Sequence, residues 1–195
     1  MQQKELIGIV ACGGNSSRMG RDKSLLTYYE LPQRYHVYEM LQEICASAYI
    51  SCNKEQARTI RKGYDTIIDG PEFENLGPLT ALLTAFHQYP GKDILLIGCD
   101  YPYLTKSELR DFILHCRSKE KSGAFYDPEA ATFISVLGLY LSGSETELFK
   151  QAHDRGFSLR KFLQQQQATP YIPKDLRSMI SVDTPAVFER LKNLR

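Results

Sequence analysis

The stretch Leu6 to Leu26, LIGIVACGGNSSRMGRDKSLL, restricts what this chain can fold into more than any other. It opens as an apolar run rich in β-branched residues (Ile7, Ile9, Val10), the pattern of a strand buried on both faces. It then breaks at Gly13-Gly14, where the backbone can reach positive φ and pass close to a ligand. Asn15, Ser16 and Ser17 continue as a polar loop, and Arg18 and Lys23 add two cations just beyond. Strand, glycine turn and cations together form a cradle suited to a polyphosphate. The plainer reading is a tight strand-to-helix turn with solvated cations.

Two familiar phosphate loops do not match. A Walker A loop needs glycine directly before Lys-Ser/Thr, whereas Lys23-Ser24 follows Arg21-Asp22. A dinucleotide fingerprint needs G-x-G-x-x-G and an acid at the end of the next strand. Gly13-Gly14 has no intervening residue, and the second strand candidate ends in Ser51-Cys52-Asn53.

Strand-like and helix-like runs alternate along the rest of the chain, which predicts an α/β fold with a mostly parallel sheet. Tyr35 to Ala46 reads as a helix, Ala48 to Cys52 as a strand, and Lys54 to Lys62 as a polar helix closed by Gly63. Thr66 to Ile68 is a third strand, and Gly77-Pro78 opens the next helix, through Phe86. Asp93 to Cys99, DILLIGC, is nearly continuous in apolar residues and should be a central strand. Thr105 and Glu108 have the spacing of a capping box for a helix to about Arg117. Ser122 to Tyr126 and Thr132 to Leu141 follow as strands, with Gly138 marking a bulge or close approach. Ser144 to His153 and a helix capped by Ser158 come next. Met179 to Val182 then reads as a last short strand before a helix opened by Thr184-Pro185.

The length of 195 residues suits a single domain over 1–195. A net charge of +1 gives no nucleic-acid footprint, and no apolar run approaches a membrane span. With no signal-peptide pattern before the first strand, a cytoplasmic location is expected. The five cysteines (Cys12, Cys45, Cys52, Cys99, Cys116) contain no C-x-x-C pair and read as reduced core residues. His36, His87, His115 and His153 lack metal-ligand spacing.

Asn53, Asp69, Asp100 and Asp183 all fall at expected carboxyl ends of strands, the edge where ligands bind in open α/β sheets. Asp100, after the most apolar strand, is either a turn cap or a ligand for a hard metal. Asp183 is by default a helix N-cap, a role that can coexist with metal binding. Asp100 plus Asp183 would suffice for Mg²⁺ already bound to phosphate, because that ion takes only one or two protein carboxylates there.

The stretch ACGGNSSRMGRDK (Ala11 to Lys23), Gly77-Pro78-Leu79, Cys99-Asp100-Tyr101-Pro102 and Val182-Asp183-Thr184-Pro185 occur in an order and spacing that resemble the molybdenum cofactor guanylyltransferases, the MobA-like nucleotidyltransferases. The resemblance implies a Rossmann-like three-layer α/β/α fold, like that of the nucleotide-diphospho-sugar transferases. It also implies transfer of GMP from Mg-GTP to the terminal phosphate of a molybdopterin-type acceptor. Carried over to this chain, it makes Ala11, Cys12, Gly13 and Gly14 the nucleotide loop, and Arg18 and Lys23 the phosphate cations. Asn53 and Asp69 become guanosine-side contacts, Asp100 the Mg²⁺ ligand, and Asp183 its assistant. Transient contact with other cofactor-biosynthesis proteins or molybdoenzyme chaperones goes with the same likeness.

The chain departs from the family at Ala11-Cys12, at Tyr29 to Pro32 and at Glu129 to Phe133, near the expected acceptor pocket. Three alternatives therefore stand beside guanylyl transfer: another phosphorylated acceptor, cytidylyl transfer from CTP, or a non-catalytic carrier of nucleotide or cofactor.

Overall fold

The computed structural model describes residues 4–12, 23–74, 76–152, 154, 157–182 and 187–188. Seven strands form one sheet: β1 (Leu6–Ala11), β2 (Ser47–Cys52), β3 (Thr66–Ile68), β4 (Asp93–Gly98), β5 (Gly123–Asp127), β6 (Thr132–Tyr140) and β7 (Thr169–Tyr171). Their spatial order is β3-β2-β1-β4-β6-β5-β7. The first four strands run parallel, and β6 alone is antiparallel to its neighbours β4 and β5. The expected mostly parallel sheet is therefore present, with β1 and β4, its two most apolar strands, side by side at the centre and buried throughout.

Helices cover both faces. Alternate residues of the central strands point to opposite sides, so Val10, Leu95 and Ile97 pack with α1 (Gln33–Gln42) and α4 (Lys106–Lys119). Ile7, Ile9, Ile94 and Leu96 pack instead with α3 (Pro78–Gln88), α5 (Glu145–Gln151) and α6 (Leu159–Gln165). This is a three-layer α/β/α arrangement. Between β2 and β3 the chain makes only one short helix, α2 (Lys54–Ala57), where Lys54 to Lys62 was expected. None of its residues is buried, so it has no packed apolar face to prolong it.

Two other expectations need correction. Met179 to Val182 is not a strand: Leu176–Met179 forms a short helical turn, and the seventh strand is Thr169–Tyr171. Pro170 disguises that strand in the sequence, yet it is tolerated because β7 lies at the sheet edge. Thr105 does cap α4 by accepting the Glu108 N–H at 3.2 Å. The Glu108 carboxylate, however, turns inward to accept from the Tyr171 hydroxyl and the Lys174 N–H, not back toward the cap. Gly138 does mark a bulge: the β5–β6 register slips so that Ala124 faces Gly138 while Phe125 faces Ile134.

Candidate active site at the carboxyl edge of the sheet

The parallel strands end in one row, and backbone hydrogen bonds hold that row together. The Cys12 N–H donates to Ser51 O at 3.2 Å, the Cys99 N–H to Ala11 O at 3.4 Å, and the Asp69 N–H to Cys52 O at 3.0 Å. Ala11, Cys12, Asn53, Asp69 and Asp100 thus leave the sheet along a single edge, as expected from their positions after successive strands. Ala11 and Cys12 are buried, on opposite faces of the sheet.

Asn53 caps α2. Its Oδ1 accepts from Glu55 N–H and Gln56 N–H, and Gln56 Oε1 accepts from the Asn53 N–H in return. The capping box expected at Thr105 is therefore complete here instead. With the carbonyl oxygen committed, the side-chain amide NH₂ is the group Asn53 can offer a ligand. Asp69 accepts a 2.6 Å hydrogen bond from the Ser51 hydroxyl. Burial pushes its carboxyl above the ordinary range, and the Ser51 hydrogen bond opposes that shift.

Asp100 is half-buried, and its carboxylate folds back over the last residue of β4. A Cβ on Gly98 would lie 2.9 Å from Asp100 Oδ1, 3.1 Å from Val136 Cγ2 and 3.2 Å from the Tyr101 ring. Glycine is what leaves room for the carboxylate there. Among the described residues no group of three or more His, Cys, Asp or Glu could hold a metal ion. A half-buried carboxylate is a donor that fits Mg²⁺ arriving with its phosphates and keeping much of its water.

Gly13, Gly14, Arg18 and Asp183 lie outside the described residues, as does the side chain of Lys23, whose backbone opens the turn Lys23–Leu25. What surrounds them is informative. A third apolar cluster, separate from the two main cores, buries Leu26, Val182 and Phe188, with Tyr28, Tyr103 and Val187 packed against it. The Tyr28 and Phe188 rings meet edge-on at 5.3 Å. This cluster draws together the segment after Lys23, the segment after Asp100 and the residues on either side of Asp183. The Val182 N–H also donates to Asp100 O at 2.8 Å. Three stretches far apart in sequence therefore converge on the turn that carries Asp100.

A cavity of about 480 Å³ lies between the start of α3 (Leu76, Pro78, Leu79), Ser135 of β6 and the segment Phe157 to Arg160, on the face of the sheet covered by α3 and α6. Sequence reading did not single out Gly98, Ser51 or Gln33, and marked Tyr29 only as the start of a departure from the family. Glycine ending an apolar strand was a usable signal for Gly98; nothing local marked Ser51 or Gln33.

The sheet order, the edge carrying the acids and the glycine-bearing connection after β1 define an α/β protein of the nucleotidyltransferase fold. Residues 8–169 match the MobA-like NTP transferase domain, and the chain belongs to that family. It is 27% identical over 187 residues to the molybdenum cofactor biosynthesis bifunctional protein of Synechocystis, covering 95% of this chain and 53% of that one. It is 29% identical over 109 residues to the molybdenum cofactor guanylyltransferase of Campylobacter jejuni, covering 56% of each. The chain thus spans about half the length of these curated relatives. Among solved structures, molybdopterin-guanine dinucleotide biosynthesis protein A of Archaeoglobus fulgidus superposes with a TM-score of 0.75 at 17% identity, covering 97% of both chains. Among the described residues no helix is long and apolar enough to cross a membrane.

Proposed function

We propose that this chain, as one nucleotidyltransferase domain over 1–195, moves GMP from Mg-GTP to the terminal phosphate of a molybdopterin-type acceptor. The observation that carries this reading is the gathering at one sheet edge of Ala11-Cys12, Asp69 and Asp100 with the segments that bear Lys23 and Asp183. Backbone N–H groups near Gly13-Gly14, with Arg18 and Lys23, hold the β- and γ-phosphates. Asn53 and Asp69 face the guanosine. Asp100, assisted by Asp183, would hold Mg²⁺, and the ion when bound would supply charge neutralisation at the α-phosphate and the departing pyrophosphate.

An oxygen of the acceptor phosphate forms the new bond to the α-phosphorus. The bond from that phosphorus to the α–β bridging oxygen breaks, and its electron pair leaves with pyrophosphate. The attacking phosphate is already ionised, so no side chain need act as a general base. This chain contributes alignment and charge neutralisation. The cavity between the start of α3 and Phe157 to Arg160, lined by both apolar and polar side chains, is the candidate acceptor pocket in this reading. A cytoplasmic location and transient contact with other cofactor-biosynthesis proteins or molybdoenzyme chaperones go with this reading.

The test is direct. Protein, Mg-GTP and molybdopterin carrying molybdenum are mixed, and pyrophosphate and a guanine dinucleotide are expected. CTP supporting the reaction in place of GTP would reassign the donor. Pyrophosphate formed only with another phosphorylated acceptor would reassign the acceptor. GTP binding without turnover would leave the carrier reading.

A further inference from the structure

Three successive backbone carbonyls in the turn that presents Asp100 are each taken by a donor from elsewhere in the chain. Asp100 O accepts from the Val182 N–H at 2.8 Å. Tyr101 O accepts from the Gln33 side-chain amide at 3.4 Å, and Pro102 O from the Tyr29 hydroxyl at 2.5 Å. Two of these donors come from the stretch after Lys23, and the third directly precedes Asp183. Tyr101 and Pro102 are buried, so their carbonyls must find partners within the protein, and Tyr101 O also accepts from the Leu104 N–H at 3.3 Å, which makes the Gln33 amide a second donor there.

Gln33 is the more telling residue. It is completely buried at the start of α1, and while its Nε2 donates to Tyr101 O, its Oε1 has no hydrogen-bond partner. Rotating the amide would aim that oxygen at a carbonyl oxygen, so the orientation is set by Tyr101. A buried acceptor left unbonded is destabilising, and folding alone would favour an apolar side chain here. Tyr29 is held from two sides. Its ring stacks on His36 with centroids 4.5 Å apart, and a β-bridge between Thr27 and Pro32 closes its loop.

We infer that Tyr29 and Gln33 are positioning residues for the Asp100 carboxylate, tying the segment that follows the glycine loop and Lys23 to the turn that carries it. The inference rests on the reading of Asp100 as the group that holds the metal of a metal–nucleotide complex. Neither side chain needs to touch the nucleotide. Their loss should loosen the turn and weaken the metal-dependent part of nucleotide binding while leaving the metal-independent part alone.

The experiment measures binding of Mn-GTP, and of GTP in EDTA, to the full chain by calorimetry, alongside melting temperature. Tyr29→Phe keeps the ring and its stack on His36 and removes only the hydroxyl. Gln33→Leu keeps an apolar filling and removes the orphaned acceptor. Each should lower affinity for Mn-GTP about fivefold, the effect of losing one neutral hydrogen bond, with affinity for GTP alone unchanged. Gln33→Leu should melt no lower than the parent. Equal loss of affinity for both ligands, or a lowered melting temperature with Mn-GTP preference intact, would reduce the two residues to a structural role and overturn the inference. Asp100→Asn separates the layers. If it keeps the preference for Mn-GTP over GTP, the reading of Asp100 fails. If it loses that preference while Tyr29→Phe and Gln33→Leu keep it, the inference alone fails. No Mn-GTP binding by the parent chain would overturn both.

Discussion

Gly98→Ala tests how closely the Asp100 carboxylate must be held. The added methyl would lie 2.9 Å from Asp100 Oδ1, where ordinary contact begins at 3.4 Å, so something must yield by about half an ångström. Val136 Cγ2 at 3.1 Å and the Tyr101 ring at 3.2 Å close the other directions. Asp100 O is anchored by the Val182 N–H, which leaves rotation of the carboxylate as the cheapest relief. Because the nearest atom is the end of a side chain, stability should suffer only mildly, by about 1 kcal/mol, the low end for overpacking. That corresponds to a fall in Tm of roughly 2–4 °C for a chain of this size. A misplacement of about 1 Å can cost a hundredfold in rate, so half that distance should lower turnover by about tenfold. Pyrophosphate release at saturating Mg-GTP, read beside a melting curve, separates the two effects. Parent-like turnover at a parent-like Tm would show that the chemistry does not depend on where this carboxylate sits.

Gly123→Ala should behave differently, because its Cβ would lie 2.6 Å from the backbone oxygen of Thr169 and 2.5 Å from Cys116 Sγ. A carbonyl in the neighbouring strand cannot swing aside, so a loss of about 2–3 kcal/mol and a fall in Tm of roughly 5–10 °C are expected in thermal denaturation. Asp69 should make stability depend on pH. Burial holds its carboxyl above the ordinary range, so the native state binds that proton before the unfolded chain does as the pH falls. Its contribution is therefore most favourable in acid and is lost as the pH rises through the raised native value. Asp69→Asn should flatten that part of the profile, and parallel profiles for parent and variant would contradict the assigned cause.

The sequence alone determined the class of fold and the sheet edge that carries the candidate site residues Asn53, Asp69 and Asp100. Continuous apolar runs at Leu6 to Ala11 and Asp93 to Gly98 can only be strands covered on both faces, and acids placed directly after such strands must share an edge when the strands run parallel. These signals are local: they depend on the period and length of hydrophobic runs, which a single stretch of chain carries by itself. Thr169–Tyr171 shows where they stop, because a three-residue edge strand containing proline has too little pattern to be read and exists only through its pairing with β5. Glu108 shows the same limit at a helix start. Its spacing suggested one hydrogen bond, and a tyrosine 63 residues away captured the carboxylate instead.

Only the tertiary structure decided how Asp100 is held. The apolar cluster around Leu26, Val182 and Phe188, and the donors Tyr29, Gln33 and Val182, reach that turn from both ends of the chain. Contacts between residues so far apart leave no periodicity to read. They come into being only when the sheet has formed and brought those segments to one edge.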